Sequence, residues 1–139
     1  MIVRRVLDKK LIKDVAGLDW DNITSDADPD FDQFDPDIDG VEYYGGFVGG
    51  SVVGVVALRD YAEYTACHII TVPDKRWHAL QLAKRALKHA KLPVQTNIPE
   101  THENVIRFAE HLGFIKAQTQ QGAWVKNGSK YDLYIMRLE

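Results

Sequence analysis

The chain has a single cysteine, Cys67, in 139 residues. One thiol excludes an internal disulfide and any zinc site built from cysteines, so the fold must rest on its core and its hydrogen bonds. Long apolar runs are missing as well: nothing approaches the roughly 20 residues that span a bilayer. The opening MIVRRVLDKK has no apolar centre of the kind a secretion signal needs, and the expected compartment is the cytoplasm. There is no internal repeat. A third absence is local: from Asp19 to Glu42 there are ten acidic residues and no lysine or arginine. The remaining ten acidic residues stand against all seventeen basic ones, so a chain of net charge −3 is a body of about +7 carrying an acidic insert.

Hydrophobic content of 45% over this length fits one domain, residues 1–139, with the acidic loop at about 19–40. Such a domain buries roughly two-thirds of its unfolded surface. In chain order, Ile2 to Leu7 reads as a strand, and Asp8 is placed to cap a helix with Leu11, Ile12, Val15 and Leu18 on one stripe. The insert DWDNITSDADPDFDQFDPDIDG follows. Mutual repulsion, Pro29 and Pro36 predict a surface loop or irregular helical segment. Its end, Asp35, Asp37, Asp39 and Gly40, copies the start of a calcium loop, but position twelve is Gly46 instead of a glutamate. No metal site is therefore assigned. Val41 to Val48 and Ser51 to Arg59 form a hairpin around Gly49-Gly50, a pair suited to a primed turn. Gly45, Gly46 and Gly54 inside it mark bulges or a close approach by another group.

Thr65 to Lys91 organises the rest. Ala66, His68, Ile70 and Val72 share one face of a strand; Cys67, Ile69 and Thr71 share the other. Pro73 ends the strand, and from about Trp77 the period turns helical, with Leu80, Leu82, Ala83, Ala86, Leu87 and Ala90 on one arc. Lys84, Arg85, Lys88 and Lys91 occupy a second arc, a solvated face or an anion-binding one. A helix start beside Lys75 and Arg76 suits a phosphate, because free N–H groups and the positive dipole end meet there. Leu92 to Ile98 reads as the next strand. Thr101 is placed to cap a helix carrying Val105, Ile106, Phe108, Ala109 and Leu112, and Gly113-Phe114 stops it. Strands at about Phe114 to Gln120 and Lys130 to Leu138 close the chain, with Trp124 and the turn Asn127-Gly128 between them. The order of elements predicts an α/β fold with a mixed sheet and helices on both faces.

The hairpin YYGGFVGGSVVGVVALRD, the strand and turn CHIITVPDKRW, the segment IPETHENVIRFAEHLGF and the ending NGSKYDLYIM together resemble the GNAT superfamily of acyl-CoA-dependent N-acetyltransferases. The likeness runs from Val41 to Leu138. It implies a mostly antiparallel central sheet with two splayed parallel strands in its middle, here Thr65 to Val72 and Leu92 to Ile98. Acetyl-CoA, as co-substrate, would lie in the splay. Its pantetheine would meet the first strand at Ile70 and Val72, and its pyrophosphate would meet Lys75, Arg76, His78, Ala79 and Leu80. His68, five residues before Pro73, holds the place of the family's general base, and neutral imidazole suits that task. The alternative is a core histidine bonded to a carbonyl. Cys67 is expected to pack, and His89 and His111 to lie at the surface.

Two departures stand out. The family's phosphate loop reads R/Q-x-x-G-x-G/A, whereas Arg76 to Gln81 contains no glycine; and counting back from Gly113, His102 replaces an asparagine and Ala109 the general-acid tyrosine. Two functions remain open. One is an N-acetyltransferase acting on a primary amine, small molecule or protein. The other is a non-catalytic binding or assembly protein of the same fold, resembling small phage-encoded GNAT-like proteins, some tied to head assembly, whose acidic loop docks a virion or other basic partner. Neither requires a nucleic acid or a membrane, and a homodimer is open in both.

Overall fold

In a computed structural model, which describes residues 1–139, the Asp8 carboxylate accepts from the Lys10 and Leu11 N–H groups and so starts the first helix where the sequence places it. The elements are β1 (Ile2–Val6), α1 (Lys9–Gly17), α2 (Trp20–Ile23), β2 (Glu42–Val48), β3 (Ser51–Asp60), β4 (Thr65–Thr71), α3 (Ala79–Leu87), β5 (Val94–Pro99), α4 (Glu103–His111), β6 (Ile115–Lys126) and β7 (Ser129–Leu138). Short 3₁₀ turns cover Phe31–Gln33 and Pro73–His78. The seven strands make one sheet in the order β1-β2-β3-β4-β5-β7-β6. Every neighbouring pair is antiparallel except β4 and β5 at its centre. This is the mixed α/β sheet with a central parallel pair that the resemblance implies.

Helices cover both faces. On one, Ile12 and Val15 of α1 pack with Val6, Tyr43 and Val55. On the other, Leu82 and Ala86 of α3 and Ala109 of α4 pack with Val56, Leu58, Val94, Ile98 and Met136. Leu82 is fully buried, a contribution of about 2 kcal/mol from that side chain alone. Gly46 and Gly54 are where α3 comes closest: a Cβ at Gly46 would stand 3.0 Å from Leu82 Cδ1, and one at Gly54 2.9 Å from both Leu82 Cδ2 and the Ile70 carbonyl oxygen. The close approach anticipated from these glycines is thus by α3 itself, with a bulge between Gly46 and Phe47. Gly49 and Gly50 both have positive φ, 58° and 81°, as a primed turn demands.

Several boundaries differ from expectation. The turn expected to meet phosphate is a pair of short 3₁₀ turns broken at Lys75 (φ −125°, ψ 19°), and α3 begins at Ala79, two residues after Trp77. Thr101 does not cap α4; His102 occupies that position without a side-chain cap, and Thr101 Oγ1 lies 3.1 Å from His102 Nδ1. Trp124 is not in a loop, because β6 continues to Lys126 and pairs Trp124 with Tyr131. Alternation was hard to see there: β6 is an edge strand exposed on both faces for most of its length, so little selects apolar residues.

Candidate active site

The parallel pair at the sheet's centre is brief. β4 and β5 pair only at Thr65 with Val94 and Ala66 with Gln95, and beyond that the strands part. Thr65 donates its N–H to the Pro93 carbonyl, on the β5 side. Backbone direction alternates along a strand, so beyond the paired residues the main-chain groups of Ile69 and Thr71 face the opening. Val72 donates to the Val53 carbonyl and belongs to the β3 side. This corrects the expectation for Ile70 and Val72: their main-chain groups point away from the opening, and the strand residues able to bond an extended guest are one position earlier. Sequence shows which side chains share a face but not which edge the peptide groups address.

Beneath the opening, on the α3 and α4 side, lies an apolar cavity of about 30 Å³ whose lining includes Cys67, Ile69, Ala83, Thr96, Ile98 and Ala109. That volume holds little more than one water, so a longer guest must enter along the open edge. Ala109 is 4% exposed, and a phenol is absent where the resemblance places one. Burial pushes the Cys67 thiol up to about 12, which keeps it protonated and unreactive at neutral pH.

His68 stands on the opposite face, toward α1 and the insert, opposite Ala57 of β3. Water reaches its ring, yet protein surrounds it closely enough that desolvation lowers its pKa below the ordinary 6.5; the negative charge of Asp28 offsets part of that shift. Neither ring nitrogen of His68 makes a hydrogen bond within the protein, unlike those of His102, so the ring is not tied to a carbonyl. A histidine held neutral with a free nitrogen is able to take a proton.

The turn after β4 gathers Lys75, Arg76, His78, Ala79 and Leu80. It does not present an open row of donors: Lys75 N–H bonds the Val72 carbonyl at 2.8 Å, and Ala79 N–H bonds that of Arg76. Arg76 lies 3.6 Å from Asp19 of the insert. Lys75 has no carboxylate partner and sits 5.5 Å from the Trp77 ring centre. The arrangement offers side-chain charge where the family offers glycine backbone.

The acidic insert is anchored. The Asp26 carboxylate accepts from Asn127 and Gly128 N–H, both at 3.0 Å, and Asp26 N–H donates to the Val125 carbonyl at 2.8 Å. These two N–H groups hold the Asp26 carboxyl below the usual carboxylate range. Lys126 donates to the Asp21 and Thr24 carbonyls, and His102 Nε2 lies 2.8 Å from the Asn22 carbonyl. Trp20 packs on Phe31 and Phe34, with ring centres 5.5 and 5.0 Å apart. Asp37 closes its own turn on Gly40 N–H and pairs with Arg59 at 3.0 Å. The insert thereby spans from α1 to the β6–β7 turn over the His68 face. Sequence reasoning counted Asp26 and Asp28 only among the charges of the insert and gave neither a role of its own. Only the turn pair Asn127-Gly128 was legible, and nothing linked it to a residue about a hundred positions earlier.

No protein-family model matches the chain, and no curated protein matches it in sequence. Solved structures do match. YncA, a putative acetyltransferase from Salmonella typhimurium solved with acetyl-CoA, superposes with a TM-score of 0.81 at 18% identity, over 100% of this chain and 93% of that one. A mutant of spermidine N-acetyltransferase SpeG from Vibrio cholerae gives 0.80 at 13% identity, over 99% and 94%. A second SpeG mutant form gives 0.78 at 16%, over 99% and 92%. The chain has the GNAT fold from end to end.

Proposed function

We propose that the chain is an acyl-CoA-dependent N-acetyltransferase acting on a primary amine, with His68 as general base. The observation that supports this most is the geometry at β4. An opened parallel pair, with peptide groups of Ile69 and Thr71 on its edge, lies beside a neutral histidine whose nitrogen is free. Bound acetyl-CoA supplies an activated thioester. The peptide groups of Ile69 and Thr71 hold its extended arm, and Lys75 and Arg76 meet its phosphates. The insert, with Asp28 at its inner side, draws a protonated amine toward His68. His68 takes one proton from the ammonium, which frees the nitrogen lone pair to attack the thioester carbonyl; as the adduct collapses its nitrogen gives a second proton to water, the C–S bond breaks and the thiolate leaves. With alanine at position 109, water takes the role of acid. The acceptor is a small molecule or a protein side chain, met in the cytoplasm.

A second reading draws on the wound, glycine-free turn and on Ala109: a GNAT-fold binding or assembly protein, with the insert docking a basic partner such as a phage virion protein. One experiment separates the two. Acetyl-CoA should raise the melting temperature, as any ligand of the native state does, and a panel of amines including polyamines should yield acetylated product and free thiol. Binding without transfer to any amine favours the second reading; neither binding nor transfer removes the first.

A further inference from the structure

Trp77 is 71% exposed. The other two tryptophans are packed, Trp20 against Phe31 and Phe34 and Trp124 against His102 and Tyr131. An indole left in water contributes no burial to the fold. It stands in the turn between β4 and α3, beside the opened strands. His78 lies beside it, ring centres 5.3 Å apart, and Lys75 places an ammonium 5.5 Å from its centre. Of the two basic residues here, Arg76 is compensated by Asp19, and Lys75 keeps its charge unpaired. The turn's Lys75 and Ala79 N–H groups are bonded within it, so recognition of an anion falls to side chains.

We propose that Trp77 and Lys75 form a platform for a purine base with an adjacent phosphate, the adenine and 3′-phosphate end of coenzyme A, in place of a glycine-lined phosphate cradle. The indole face stacks on the base and the ammonium meets the phosphate. This deepens the acetyltransferase reading and rests on it.

The test compares acetyl-CoA, S-acetylpantetheine, 3′,5′-ADP and adenosine as ligands of wild type, Trp77→Ala, Trp77→Phe and Lys75→Met, by titration calorimetry and tryptophan fluorescence. Exposure at position 77 leaves the fold intact, which a thermal melt checks. Acetyl-CoA and 3′,5′-ADP should quench the wild type, and Trp77→Ala should weaken both about ten- to a hundredfold, the range of base stacking on an aromatic ring. Trp77→Phe should keep most of the affinity, S-acetylpantetheine should bind wild type and Trp77→Ala alike, and Lys75→Met should erase the preference for 3′,5′-ADP over adenosine. Equal acetyl-CoA affinity in wild type and Trp77→Ala overturns the platform and leaves the acetyltransferase reading standing. Trp77-dependent binding of 3′,5′-ADP without any acetyl transfer supports the platform and sinks the enzyme. No binding of acetyl-CoA or 3′,5′-ADP overturns both.

Discussion

The two sides of β4 hold their charge in opposite ways. On the His68 side, part of the acidic charge between Asp19 and Glu42 is tied down, by main-chain donors, aromatic packing and a few single cations from the body, and the carboxylates of Asp30, Asp32 and Asp39 are left without a cation. On the α3 side, the positive charge is met by two ion pairs, Arg76 with Asp19 and Lys91 with Asp60, and Lys75, Lys84 and Lys88 are left to solvent or to a ligand. Repelling charge is made orderly where its carboxylates face backbone N–H groups, and cationic charge stays available where no carboxylate reaches it. The first side has the character of a built wall and the second that of an open seat. The proposed acetyl transfer, which brings a cation to an anionic co-substrate, calls for both.

The largest effect that can break this comparison is at His68. His68→Gln keeps size and hydrogen bonding but accepts no proton, so acetyl transfer should fall about a hundredfold or more, with acetyl-CoA affinity unchanged in calorimetry, the pattern of an interaction lost only in the transition state. Turnover equal to wild type would make the wall side structural. On the seat side, Gly54→Ala forces a Cβ to 2.9 Å from the Ile70 carbonyl and from Leu82. It should destabilise by roughly 1–3 kcal/mol in chemical denaturation, because α3 must be pushed off the sheet that positions the turn. An unchanged midpoint would show that α3 does not clamp there.

Most of the fold was legible because its signals are local. Asp8 caps α1, Gly49-Gly50 turns the hairpin, and Gly113-Phe114 stops α4, where Gly113 has φ 98° and Phe114 N–H reaches back to the Ala109 carbonyl at 3.0 Å. The site was legible in part. His68 sits on the face that side-chain alternation predicts, but the peptide groups facing the opening belong to Ile69 and Thr71, since the edge a strand presents is decided by its neighbours. The insert was read as a mutually repelling loop. Its charges are instead divided into anchors and free ends by Asn127, Gly128, Lys126 and Arg59, all distant in sequence.

That division gives a milder test. Asp26, Asp35 and Asp37 are engaged, whereas Asp30, Asp32 and Asp39 make no side-chain ion pair. Replacing Asp30, Asp32 and Asp39 together by asparagine should leave the melting temperature near wild type and raise KM for a cationic amine several-fold at low ionic strength. The effect should vanish near 1 M salt, where the Debye length is about 3 Å. Asp26→Asn should do the reverse, lowering the melting temperature and opening the insert to protease, because one carboxylate serves two N–H groups. If the outward triple variant unfolds instead, the insert is not divided in this way.

The smallest expected effect is on a pH profile, and it asks whether the wall reaches the base. Desolvation lowers the His68 pKa below 6.5, and Asp28 raises it part of the way back. Only neutral imidazole accepts a proton, so kcat/KM should rise as pH increases through an apparent pKa below 6.5 and level off by neutrality. Asp28→Asn removes the charge while keeping an oxygen for the Ser25 N–H, which Asp28 accepts at 2.8 Å. Without that charge the protonated form loses its support and desolvation acts unopposed, so the rising limb must move to lower pH. Kinetics in constant-ionic-strength buffers from pH 5 to 8 would show it. A limb that stays in place means Asp28 is too well screened to matter, and one that moves to higher pH means that the titrating base is not His68.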